Sequence, residues 1–136
     1  MIDIGFTGTQ EGMDQNQLKI FGYFMAGLYH HHFSEVRFHH GCCIGSDYDA
    51  ALLARNLGFF IIGHPPINTI KMQDPVIADE LRPPREYLDR NMNIVTECSL
   101  LIATPKTNAE ELRSGTWTTI RYARKQDKPI QYILPR

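Results

Sequence analysis

The stretch Ser114-Gly115-Thr116-Trp117-Thr118-Thr119 sets small hydroxyl residues and one glycine at the start of a helical pattern. A helix N-terminus presents unpaired N–H groups and partial positive charge, so such residues can hold a phosphate or carboxylate. Thr116 and Thr119 are expected to cap the helix, leaving Thr118 free for a ligand. Trp117 shares a face with Ile120 and Ala123, a spacing that points to packing. A second group, Thr7-Gly8-Thr9, would let backbone N–H groups approach a phosphate or ribose. The spacing of Gly5, Gly8 and Gly12 matches neither the dinucleotide fingerprint nor a P-loop. In a third group, Gly41 and Gly45 permit a close turn and Ser46 is expected as a helix cap. Asp47 there accepts backbone hydrogen bonds or holds a ribose hydroxyl. Arg90 and Asn91 lie beside an apolar helical stripe, where a cleft-facing guanidinium would clamp an anion.

His39, His40, Cys42, Cys43 and Asp47 raise the question of a metal. Adjacent His-His and Cys-Cys pairs alternate in direction at a strand end, so one member of each could reach a common ion. Zinc ligands are usually spaced otherwise, and no metal or cofactor is expected. His30, His31 and His32 are explained by their place at a helix C-terminus.

These groups need a scaffold, and period-2 and period-3.6 patterns alternate along the chain. Residues 1–7 read as a strand, and Asp14 with Gln17 as a capping box. Leu18, Phe21, Met25 and Leu28 then mark a helix to about residue 32. Strands are expected at 35–41, 59–66, 100–105 and 130–134, with helices after Ser46, around 87–98 and over 117–126. Residues 66–84 lack a clear period and read as an excursion holding one short helix, with Pro84 in the first turn of the next. The alternation predicts an α/β three-layer sandwich, a Rossmann-like domain over 1–136 with a mostly parallel five-stranded sheet of order 3-2-1-4-5. Ligands in such sheets lie at the carboxyl ends of the strands, where the Gly/Ser/Thr loops emerge.

At 136 residues and 43% hydrophobic, the chain can bury one sheet with helices on both faces. A net charge of −1 argues against nucleic acid and anionic membrane as partners. Three cysteines make no disulfide framework, and no apolar run approaches a membrane span, so a cytoplasmic protein is expected.

In this order the residues resemble the SLOG superfamily, Rossmann-like proteins that include the LOG-type phosphoribohydrolases, DprA and the YpsA-like proteins. The resemblance rests on "GFTGT", "HHGCCIGSDYDA", "YLDRNMNIV" and "SGTWTTIRYARKQDKPI", the last two matching the DprA-like Arg-Asn pair and S-G-T-x-x-T-x-x-A turn. It implies that Arg90, Asn91, Ser114, Gly115, Thr116, Thr119 and Ala123 surround a nucleotide-like or phosphate-bearing ligand. It also suggests a homo-oligomer, with Phe21 and Phe24 as a candidate exposed surface. The alternative is a LOG-like hydrolase of a nucleotide N-glycosidic bond. LOG-type enzymes carry a P-G-G-x-G-T turn followed by glutamates, whereas Trp117, Thr118 and Thr119 stand there in this chain. That alternative would use Arg90 as clamp and Asp47 or Glu97 as acid–base, but no motif assigns Glu97, Glu110 or Glu111, so the pattern favours holding a ligand over cutting one.

Overall fold

Ile2, Ile4 and Phe6 alternate with Asp3 and Gly5 along β1 (Ile2–Gly8), so the two sets face opposite sides of a sheet. The computed structural model describes residues 1–32 and 35–136. After β1 come α1 (Gln15–His32), β2 (Val36–His40), α2 (Ser46–Leu57), β3 (Phe60–Gly63) and β4 (Glu80–Leu81). The chain continues through α3 (Tyr87–Glu97), β5 (Leu100–Thr104), α4 (Gly115–Lys125) and β6 (Ile130–Tyr132). The sheet order is β4-β3-β2-β1-β5-β6, and the ladders between these strands are parallel. The five strands legible in the sequence therefore lie in the expected order, and a two-residue edge strand, β4, extends the sheet to six.

On one face, Ile4, Phe6 and Phe38 pack with Phe21 and Met25 of α1 and with the alanines of α2. The three phenylalanine rings meet at centroid distances of 5.5 to 6.0 Å. On the other face, Ile94 and Val95 of α3, Cys98 just after it and Ala123 of α4 cover Leu101. Trp117 packs with Ala103 and Ile120, as its spacing predicts.

Several local expectations are corrected. Phe21 is wholly buried and Phe24 half-buried, so these two do not form an exposed aromatic face. Leu18 is exposed, and its neighbour Gln17 is buried instead. Gln17 closes the capping box with Asp14, and its amide also donates to the carbonyls of Pro105 and Ile133 at 2.8 and 3.0 Å. These bonds satisfy a buried polar side chain and turn that face inward. Residues 66–84 hold no helix but the edge strand β4, and Pro84 precedes α3, whose N-cap is Glu86. Helix α4 starts two residues earlier than expected, because Ser114 is the cap and its Oγ accepts from Trp117 N–H at 3.1 Å. Ser46 does not cap α2: Gly45 holds the N-cap position, and the Ser46 Oγ is buried with no partner among the described residues. No described helix is long and apolar enough to cross a membrane.

Candidate functional site

The loops leaving β1, β2, β3 and β5 border a cleft of about 730 Å³. Backbone bonds fix its floor: Thr9 N–H donates to Thr104 O at 3.2 Å, and Ser46 N–H to Thr9 O at 3.1 Å. The first loop is thereby tied to both β5 and the start of α2. Gly8 lies at this junction, and a Cβ there would meet Thr104 Oγ1 and come within 2.6 Å of Ser46 Cβ. Both neighbours are fully buried, so neither can retreat. Gly8→Ala is expected to cost about 1–3 kcal/mol through overpacking, read as a shift in the denaturant midpoint.

Arg90 is only 6% exposed and joins α3 to the ends of β2 and β3. Its Nη1 donates to Gly41 O and to His64 O at 3.3 Å, and its Nε to Asn91 Oδ1 at 2.7 Å. Tyr87 lies under the guanidinium, 5.4 Å from ring centre to Cζ. Most of the Arg90 donors are therefore engaged by the protein, and the residue braces the cleft wall more than it offers a fork to an anion. Gly41 makes this possible, because a Cβ there would stand 2.8 Å from Arg90 Cζ.

Asp47 is buried beside this guanidinium and accepts from Cys43 N–H at 3.2 Å. Burial pushes its carboxyl up to about 6 against the opposing pull of Arg90 and of backbone N–H groups. A carboxyl raised in the folded state favours the folded protein while protonated. That contribution is full below about pH 4 and is lost as pH rises through about 6. Asp47→Asn keeps an acceptor for Cys43 N–H, so it is expected to stabilise the protein by roughly 1–3 kcal/mol at pH 8 and by little at pH 4. Denaturation of both proteins at the two pH values checks this.

At the start of α4, Ser114, Gly115 and Thr116 border the cleft, and a Cβ on Gly115 would meet nothing within 4 Å. Thr118 is not among the lining residues: its hydroxyl donates to Ser114 O at 2.8 Å, so it is not free for a ligand. Thr119 Oγ1 likewise donates to Gly115 O at 3.0 Å, and neither Thr116 nor Thr119 is the cap. Of the residues singled out by sequence, Thr7, Gly8, Thr9, Gly41, Asp47, Arg90, Asn91, Ser114, Gly115 and Thr116 line the cleft. Gly45 and Ser46 stand behind it, with Gly45 at φ 81° packed against the Gln10 carbonyl. Sequence reasoning missed Asn68, Ile70 and Lys71, which close one side from the β3–β4 excursion, and Tyr87, Lys106 and Arg113.

His39 and His40 lie outside the cleft. His40 is wholly buried, its Nε2 bonded to Ile77 O at 2.6 Å, and burial lowers its pKa to about 4. Cys43 borders the cleft, whereas Cys42 packs beside Gly63. The two thiols thus diverge, and burial raises both pKa values, Cys42 to about 12. Of the two acid–base candidates Asp47 and Glu97, Asp47 lines the cleft, and so does Glu111. Glu110 is paired with Arg121 and Arg124, and Glu97 with Arg82.

No family model matches the chain, and no curated protein matches it in sequence. Solved structures do match in shape. The molybdenum cofactor binding protein from Rippkaea orientalis is 20% identical with a TM-score of 0.74, over 99% of this chain and 77% of that one. The Moco carrier protein from Chlamydomonas reinhardtii is 20% identical with a TM-score of 0.72, over 97% and 75%. DNA processing protein A from Streptococcus pneumoniae is 19% identical with a TM-score of 0.70, over 97% of this chain and 50% of that one. With the sheet order and the loop-built cleft, these likenesses give the chain a Rossmann-like fold.

Proposed function

We propose that the cleft binds a nucleotide or nucleotide-derived, phosphate-bearing small molecule, with its phosphate at the N-terminus of α4. The convergence of Thr7–Thr9, Gly41 with Asp47, and Ser114–Thr116 on one cleft supports this most strongly. Gly115 leaves open space where an anion would approach the first-turn N–H groups. Ile44, Ile70 and Tyr87 supply an apolar wall for a flat ring. Two structurally similar proteins are described as a molybdenum cofactor binding protein and a Moco carrier. The molybdenum cofactor, also a phosphate-bearing small molecule, is therefore the second compound class to offer. Native mass spectrometry of the purified protein tests the reading. A phosphorus-containing adduct, or one gained on adding AMP, GMP or the molybdenum cofactor, is expected. A bare chain under all of these conditions contradicts it.

A second reading, hydrolysis of a nucleotide N-glycosidic bond, draws on Asp47, a cleft carboxyl held near the pH at which a general acid or base works best. The positions after Gly115-Thr116 supply no acid, since Trp117 is buried and Thr118 is bonded to its own helix. Incubation with nucleoside monophosphates separates the two readings. Release of free base that Asp47→Asn stops would favour hydrolysis, and binding without release favours the first reading.

A further inference from the structure

A second polar cluster lies on the sheet face covered by α3, away from the cleft. Asp3 of β1, His39 of β2, His64 just after β3 and Glu97 at the end of α3 meet there. His39 Nδ1 faces His64 Nε2 at 2.9 Å, and His39 Nε2 faces Asp3 Oδ1 at 2.8 Å. Glu97 Oε2 is 3.9 Å from His64 Nδ1. Both histidines are buried, at 0% and 2% exposure, while the Glu97 side chain is 33% exposed and opens the cluster to solvent. One donor atom each from His39, His64 and Glu97 lies within 4.8 Å of the others.

His39 and His64 are hydrogen-bonded to each other, and the same donors can serve as ligands. Asp3 takes the N–H of His39 Nε2, which leaves the His39 Nδ1 lone pair aimed at His64. A carboxylate behind an imidazole in this way fixes the tautomer and raises ligand basicity. Arg37 clamps Asp3 with bonds of 2.7 and 2.9 Å, so this carboxylate is held as an orienting group. Glu97 is gripped by Arg82 at 2.8 Å, but Arg82 is also paired with Glu80 and keeps that partner when Glu97 turns away.

We propose that His39 Nδ1, His64 Nε2 and a Glu97 oxygen form a site for a divalent ion of the zinc class, with Asp3 positioning His39. Metal–nitrogen bonds of about 2.0–2.1 Å at tetrahedral angles need a nitrogen separation of roughly 3.3 Å, so the rings open by a few tenths of an ångström. The proton between the rings moves to His64 Nδ1, on the side of Glu97, and none is lost. The fourth position is open to water on the Glu97 side. Two histidines and one carboxylate suit zinc or cobalt better than calcium or magnesium, which prefer oxygen alone.

The test is titration of chelator-treated full-length protein with Zn²⁺ by calorimetry and with Co²⁺ by visible absorption. One saturable equivalent is expected, with the intense bands of four-coordinate cobalt. Glu97→Gln removes a ligand from a half-exposed position and leaves an acceptor for Arg82, so it should fold and bind Zn²⁺ at least about tenfold more weakly. His39→Asn should abolish the cobalt bands. A variant with His30, His31 and His32 changed to Ala should bind as the unaltered protein does. No saturable uptake would mean a structural hydrogen-bonded pair and would overturn the proposal. Uptake unaffected by Glu97→Gln, or lost with the three-histidine variant, would overturn it as well.

Discussion

Gly115→Glu is expected to weaken binding of a phosphate-bearing ligand about 100-fold or more while leaving the fold intact, since like charges brought together cost several kcal/mol. The added side chain meets no protein atom within 4 Å at its Cβ, so packing is undisturbed. Replacing glycine in the first turn of α4 also raises helix propensity, and an acid there suits the helix dipole. Stability should therefore stay level or rise by about 1 kcal/mol. The carboxylate instead occupies the space where the ligand anion would sit. Thermal unfolding with and without AMP, GMP or the molybdenum cofactor measures both effects together. A variant that is stable yet no longer stabilised by ligand is the expected outcome. Equal ligand stabilisation of both proteins would place the anion elsewhere.

Arg90→Ala should be the most destabilising single change at the cleft, costing about 3–5 kcal/mol. It leaves the carbonyls of Gly41 and His64 without this donor and opens a void over Tyr87. It also removes the cation that offsets the buried Asp47 carboxyl, so the loss should deepen as pH rises above about 6. Arg90→Lys keeps the charge but cannot reproduce the planar set of bonds, and should cost about 1–3 kcal/mol. Denaturant unfolding at pH 5 and pH 8 checks both size and sign. A loss under 1 kcal/mol for Arg90→Ala would contradict the bracing role.

What could be read from the sequence was what is encoded locally. Alternation in Ile2–Phe6 and the helical stripe of α3 depend on spacing within a few residues, and so does the Asp14–Gln17 box. These sufficed for five strands in their order and for the loops that bear the cleft. Residues whose role comes from distant contacts were hidden. Gln17 is buried by carbonyls 88 and 116 residues away, and nothing around it announces this. His39 looked like part of an unconvincing local metal motif with its neighbours, while its partners Asp3 and His64 are 36 and 25 residues distant. Asn68, Ile70 and Lys71 reach the cleft from an aperiodic stretch because β4 pairs with β3 and folds that stretch over the sheet edge. Thr118 is engaged for a local reason, since a threonine in a helix readily bonds the carbonyl four residues back.

The central claim, an anion-directed ligand site at the start of α4, is tested most directly by calorimetric titration of the protein with adenosine, guanosine and their 5′-monophosphates. Each monophosphate should bind at least about tenfold more tightly than its nucleoside, a difference expected of one charge-assisted phosphate contact. That preference should vanish in Gly115→Glu. Equal affinity for nucleoside and nucleotide, or a phosphate preference that survives Gly115→Glu, would contradict it.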